Sequence, residues 1–418
     1  MGWQISTFED RTPVAGLPAP VAALIQSHDL TTSSGDKVSF CGVLIAKNSL
    51  NLFVPRNSAR SVNGEDQQYL TPLMMHALRK YHHRFKSGLT NNDNGIGFVG
   101  TEKLSLVYQL LEDYQKFGIY RRRSTIKVVN TGKPDWSKTI SKFVPVSSAG
   151  NIVYTDYIGS KHKYSADFEI AKIHAFLIKR LDTRYALMFK GKSIFTDHSL
   201  PKPSSIKTSY MLAKLETELK SVYSNRDIWL IKNLITLLKQ EYGQLETTTV
   251  IGIKYFHVMW EHMLSQVLSN VVNLNGELPT PAYLNTDNQL VPAKNKGQRT
   301  DIILASADNA THTIVDAKYY DATNATGAPG WQDLVKQFFY AKALEFVYPN
   351  SRIKNAFIFP GSKAAYKTVH MQDRKSNNTL DSLYPPIHCF YIDPLIVLNS
   401  FNSDNKLKEL TQQLLQPS

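Results

Sequence analysis

Two hydrophobic rhythms alternate along the chain, one of period two and one near 3.6, and their alternation predicts a mixed α/β protein. Residues 37–46 (KVSFCGVLIA) and 50–55 (LNLFVP) are apolar, β-branched runs flanking the polar break Lys47-Asn48-Ser49, the pattern of a β-hairpin. Over residues 70–85 the spacing turns helical, with Leu70, Leu73, Met74, Ala77, Leu78 and Tyr81 on one stripe. The end of that helix carries Arg79, Lys80, His82, His83, Arg84 and Lys86, which suit a helix C-terminus and read either as a solvated basic end or as a phosphate contact. A further helix is predicted over 105–120 and strands over 125–129 and 151–157. Arg121, Arg122 and Arg123 at the first of these strands read equally as a contact surface or a solvated patch, and Trp136 and Thr139 in the string 132–140 are expected to pack internally.

From residue 165 the helical rhythm dominates. Phe168, Ile170, Ile173, His174, Phe176, Leu177, Ile178 and Leu181 form one amphipathic helix, with His174 expected as a packed core histidine. Helices over 206–223 and 228–242 follow, and a third over about 252–273 has Phe256, Met259, Trp260, Met263, Leu264, Val267 and Leu268 on its apolar face. Residues 297–320 then return to period two as a predicted hairpin. A helix over 331–346, strands over 356–360 and 387–392, and a short tail helix over 405–415 of doubtful importance complete the pattern. The domain reading is an N-terminal α/β region, 1–160, a helical region, 161–248, and a C-terminal region, 249–418.

Composition narrows the function classes. Among 418 residues the formal net charge is +13, which favours an acidic partner such as nucleic acid and is also compatible with a plain solubility trait. The two cysteines, Cys41 and Cys389, lie far apart with no metal-ligand spacing, as expected of a reducing compartment. The chain shows no signal-peptide pattern and no run of about 18 apolar residues, so a cytoplasmic protein without membrane contact is expected. Met1-Gly2 with Ser6 fits the loose myristoylation pattern, which is set aside because nothing else points to a membrane. Gly95, Gly97 and Gly100 spell G-x-G-x-x-G but follow the polar run 91–94 instead of a strand, so the segment reads as a loop and not a nucleotide site.

The chemistry concentrates in the hairpin. Ile302, Ile303 and Leu304 follow Asp301, Asp308 and Asn309 supply turn chemistry, and Thr313, Ile314 and Val315 lead to Asp316. Pairing of the two strands would bring Asp301 beside Asp316. Period two puts Asp316 and Lys318 on one face with Ala317 turned away. Two carboxylates and an ammonium on one face are costly to bury unless a cation and an anion complete them, and oxygen ligands suit Mg²⁺. An ordinary hairpin with Asp316 and Lys318 as a solvated pair is the competing reading. Gln337 and Tyr340, three apart in the helix after the hairpin, share a face that can reach the site edge.

These residues resemble the PD-(D/E)XK nuclease superfamily, with Asp301 and Asp316 as the two acids, Lys318 as the lysine, and Thr300 where that pattern has proline. Residues 250–395 are similar to the nuclease half of McrC-type subunits, and the N-terminal part, with its string Asp135-Trp136-Ser137-Lys138-Thr139-Ile140, resembles the LlaJI-type restriction endonuclease family. The resemblance implies a restriction-endonuclease-like core and a type II/IV-like, Mg²⁺-dependent restriction endodeoxyribonuclease acting on double-stranded DNA. It implies metal ligation by Asp301, Asp316 and the Ala317 carbonyl, with Glu261 as a further ligand or water-orienting acid, and catalytic roles for Lys318 and Gln337. Glu261 reads evenly as that acid or as a surface glutamate. The implied partner is a McrB-like AAA+ GTPase that binds GTP, since this chain has no G-x-x-x-x-G-K-[ST] string; region 1–160 would then dock that partner. The alternatives are a non-catalytic DNA-binding or motor-activating subunit, and a nuclease of transposition or repair.

Overall fold

A computed structural model of the protein describes residues 4–46, 49–58, 65–86, 98–148, 151–165, 168–241, 248–293 and 297–416. Two compact units emerge: Met1–Leu104 together with Thr247–Ser418, and Ser105–Glu246 between them in sequence. This division departs from three consecutive regions for a specific reason. The strand Thr248–Ile253 pairs antiparallel with Cys41–Ala46, so the chain returns to its first sheet after about two hundred residues. The break expected at residue 160 falls inside the second unit, where Ile158–Ser165 pairs with Arg122–Val129 along its whole length. Both joins are long-range, and local rhythm carries no trace of them.

The first sheet has the order Gln4–Glu9, Ser49–Val54, Cys41–Ala46, Thr248–Ile253, Phe98–Val99. Cys41–Ala46 and Ser49–Val54 form the expected antiparallel pair, and the edge strand Gln4–Glu9 runs parallel to Ser49–Val54. Gly42 pairs with Gly252 across the sheet, and the ring of Phe40 lies over the pair: a Cβ at Gly252 would lie 2.5 Å from that ring. Phe40 and Phe53 meet edge to face at 5.6 Å in a core closed by Val21, Ile25 and Leu30. Side chains of this size each contribute about 1.5–3 kcal/mol by leaving water. Gly95 and Gly97 lie outside the described residues, whereas Gly100 adopts a left-handed φ of 69°.

The second sheet, in the same unit, has the order Val271–Val272, Ile302–Ala305, Thr311–Ala317, Arg352–Pro360, Ile387–Ile392, Thr368–Val369. Ile302–Ala305 and Thr311–Ala317 are the expected antiparallel hairpin. Its turn is fixed by the Asp308 carboxylate, which accepts from Ser306 Oγ and the Ala310 N–H, and by Asn309 at a left-handed φ of 55°. The helix Trp331–Val347 then carries the chain to Arg352–Pro360, parallel to the second hairpin strand. Leu344 and Ala341 of that helix pack on Ile303 and Ile314 of the hairpin. The helix expected over 252–273 is shorter, Phe256–Val267, because Gly252 and Ile253 belong to the strand Thr248–Ile253 and Val271–Val272 form an edge strand paired with Ile303 and Leu304. The tail helix, Lys408–Leu415, has a clear structural role: the Leu414 carbonyl accepts from Thr313 Oγ1 at 2.8 Å and the Gln416 carbonyl from Lys354 Nζ at 2.6 Å.

The second unit contains a three-stranded sheet, Arg122–Val129, Ile158–Ser165 and Lys133–Pro134, and the helices Glu169–Leu181, Thr208–Leu219 and Asn225–Glu241. His174 is fully buried and accepts the Tyr120 N–H at its Nδ1, 3.0 Å away, so it is the core histidine its helical position suggested. Thr139 is buried too, its hydroxyl bonded to the Asp135 carbonyl and the Ile158 N–H. Trp136 is 55% exposed and does not pack inward: it opens the short helix Trp136–Lys142, which turns Thr139 to the strand instead. Among the described residues no helix is long and apolar enough to cross a membrane.

Candidate active site

The hairpin register places the acids. Ile302 pairs with Val315, so Asp301, one residue earlier, falls opposite Asp316, and the Ala317 N–H donates to Asp301 Oδ2 at 3.3 Å. Thr300 is buried, and the Asn275 side chain clamps it on three sides. Asn275 Oδ1 accepts from the Thr300 N–H at 3.0 Å and from its hydroxyl at 2.9 Å, while Asn275 Nδ2 donates to the Thr300 carbonyl at 3.2 Å. A proline there would lack the N–H that anchors this turn, which is a physical reason for threonine at this position.

Asp316, itself buried, is the hub. Its Oδ2 accepts from Lys318 Nζ at 2.9 Å and from Gln337 Nε2 at 3.1 Å. Lys318 Nζ also donates to Asp333 Oδ1 at 2.8 Å, and Asp333 Oδ2 accepts from the Tyr320 hydroxyl at 3.3 Å. Asp333 and Gln337 are four apart on the helix Trp331–Val347, hence on one face, and Asp333 lies in the first turn, where a carboxylate favours the helix dipole. Tyr340, one turn beyond Gln337, bonds the Arg299 carbonyl at 2.8 Å and so ties the same helix to the start of the hairpin. The side-chain oxygen of Gln337 has no partner although the residue is wholly buried.

Glu261 reaches the same pocket from the helix Phe256–Val267, one turn after His257. The cavity, about 440 Å³, is lined by Glu261, Asp301, Asp316, Ala317, Lys318 and Gln337, with Tyr340, Tyr320, Arg11, His257 and Lys336 around them. All the residues proposed from sequence therefore converge. Those that sequence reasoning missed divide by signal: Asp333 stands at helical spacing from Gln337 and Tyr320 at strand spacing from Lys318, whereas nothing local points to Arg11, more than 280 positions from the hairpin.

Charge is the dominant feature of this pocket. Burial in the protein, then the neighbouring Asp316 and Glu261 charges, push the Asp301 carboxyl up, although Asp301 stays open to the cavity and solvent moderates the shift. Glu261 is raised by burial and by Asp316, with Lys318 opposing. Burial alone would lower the Lys318 ammonium, but the Asp316 charge and the bond to Asp333 outweigh it and raise its pKa, so it stays protonated. Like charges held this close bind either a proton or a cation. The groups that could hold a metal are oxygens, the Asp301 and Asp316 carboxylates, the Ala317 carbonyl and Glu261, a set that suits a hard divalent ion that keeps several waters. Among the described residues no three His, Cys, Asp or Glu side chains close into a full metal cage.

The fold and pocket define a mixed α/β protein with paired acids and a lysine at the end of a hairpin in an open sheet. Residues 40–392 match the model of the LlaJI restriction endonuclease family, and the chain belongs to that family. The Type II restriction enzyme BsuMI component YdjA of Bacillus subtilis (strain 168) is 26% identical over 362 residues, 82% of this chain and 77% of that protein. Among solved structures, the refined half-complex from a tetradecameric assembly of Thermococcus gammatolerans McrB AAA+ hexamers with bound McrC aligns at 13% identity and a TM-score of 0.39, covering 96% of this chain and 99% of that one. The cryo-EM structure of the Thermococcus gammatolerans McrBC complex aligns at 11% identity and a TM-score of 0.23, over 62% and 85%. Likeness at that level defines neither fold nor partner.

Proposed function

We propose that this chain is the Mg²⁺-dependent, DNA-cleaving subunit of a restriction system, with a PD-(D/E)XK-type site in its C-terminal region. The observation that carries the reading is the convergence on Asp316: Lys318 and Gln337 both bond its carboxylate, and Asp301 faces it across the hairpin. Membership of a restriction endonuclease family supports DNA as the substrate. The McrC-like pattern of residues 250–395 supports a McrB-like, GTP-hydrolysing AAA+ partner, with a docking role for the N-terminal region.

Asp301, Asp316 and the Ala317 carbonyl would hold the cation, with Glu261 bonding its waters. Bound there, Mg²⁺ supplies neutralisation of phosphate charge and a lowered pKa for an attacking water. Lys318, held as an ammonium between Asp316 and Asp333, is a donor and not a base: it orients the water and offsets negative charge building on the phosphate. Gln337 fixes the Asp316 carboxylate so that its other oxygen keeps its aim. The test is DNA cleavage by the partner-bound protein. Asp316→Ala and Lys318→Ala should each lower it by about 10³-fold, on the order of 4 kcal/mol of barrier, while assembly with the partner persists. Undiminished cleavage by both variants contradicts the assignment.

A further inference from the structure

Arg11 belongs to the edge strand's exit from the first sheet, yet it lines the pocket that holds Asp301, Asp316 and Lys318. Its backbone is unusual. Nine non-glycine residues among those described have positive φ; eight are Asn or Asp, whose short polar side chains tolerate that region, and the ninth is Arg11 at φ 70°. A left-handed arginine persists only where its surroundings over-determine it. They do: its N–H donates to the Val38 carbonyl and to Asp10 Oδ1, both at 3.0 Å.

Asp10 links this turn to the active-site strand. It is 3% exposed and accepts the Phe40 N–H at 3.1 Å and a bond from the Tyr319 side chain, and Tyr319 directly follows Lys318. The Tyr319 hydroxyl in turn accepts the Arg56 N–H at 2.8 Å, and its ring packs on Phe256 and Trp260 of the helix that bears Glu261. The arginine turn and the acids thus share one buried support. Arg11 Nε forms an ion pair with Asp10 Oδ2 at 3.7 Å, longer than a hydrogen bond, so this partner engages one edge of the guanidinium through its charge. The guanidinium lines the acidic pocket, and its remaining N–H donors match a phosphate oxygen pair, which the carboxylates alone would repel.

We propose that Arg11, supplied by the first sheet, binds a phosphodiester of the DNA strand that enters the Asp301–Asp316 pocket. The substrate class rests on the nuclease reading above. Arginine stands at a position that sterically favours Asn because its charge, and not its backbone, is what the site uses.

Arg11→Asn separates these roles, since Asn suits the left-handed turn but carries no charge. The measurement is binding of a labelled duplex of mixed sequence without Mg²⁺ across a salt series, by wild type, Arg11→Asn, Arg11→Lys and Asp316→Ala, with thermal unfolding of each. The expected result is an Arg11→Asn protein as stable as wild type or more so, with affinity lower by about tenfold and a salt slope smaller by about one. Arg11→Lys should recover part of both. Wild-type affinity and slope in Arg11→Asn overturn the phosphate role, as does loss of binding accompanied by unfolding in Arg11→Asn but not in Arg11→Lys. Cleavage by Asp316→Ala is measured in parallel with Mg²⁺ added; cleavage retained there overturns the nuclease reading alone, because the salt slope still judges the Arg11 contact.

Discussion

Asp301, Asp316 and Lys318 were legible in sequence because strand geometry is regular: period two fixes which side chains share a face, and Asp308-Asn309 fixes where the chain turns. Thr300 was legible only as a departure from a pattern; its meaning lies in the Asn275 clamp, a contact 25 residues away. Buried His174 gives a residue-level prediction in the second unit. Burial, with Arg226 adding to it, pushes the imidazole down to about 3 from an ordinary 6.5. The folded protein therefore binds fewer protons than the unfolded chain between those values. Above pH 6.5 the group costs nothing, and as pH falls below 6.5 stability declines by about 1.4 kcal/mol per unit. Urea unfolding of wild type and His174→Asn across pH 4–7.5 checks this: the variant should show the shallower decline, and identical slopes would contradict it.

At the scale of elements, the helix Trp331–Val347 does more than cover the sheet. Its face presents Asp333 to Lys318 and Gln337 to Asp316, so one rigid element aims both members of the ion pair. Helical periodicity predicted the element and the Gln337–Tyr340 face; Asp333 was missed because its meaning depends on the length of the loop that brings the helix back. Asp333→Asn should leave the fold nearly unchanged, with a loss of about 0.5 kcal/mol from the helix dipole, and slow cleavage about tenfold as Lys318 loses one of its two carboxylates. Cleavage at the wild-type rate would show that Asp316 alone suffices to place the ammonium. The tail helix carries the same lesson: its sequence is ordinary, and its role appears only in the bonds it makes to Thr313 and Lys354.

At the scale of the molecule, the first and last parts of the chain form one unit, with Ser105–Glu246 as a second. Local patterns located most helices and the hairpins at 41–54 and 302–317 of the first unit, but not the hairpin of Ala282–Leu284 with Leu290–Pro292, and could not show that Thr248–Ile253 closes the first sheet, or that a strand beginning at Gln4 leads to an arginine at the acidic pocket. Long-range pairing leaves no periodic mark. The proposed function has Asp301 and Asp316 hold a cation, and its most direct test is the Mg²⁺ dependence of duplex cleavage by the partner-bound wild type and Asp301→Asn. The expected result is cleavage that is absent in EDTA, rises and saturates with Mg²⁺ for wild type, and stays absent for Asp301→Asn at every concentration; cleavage in EDTA, or equal cleavage by the two proteins, would contradict it.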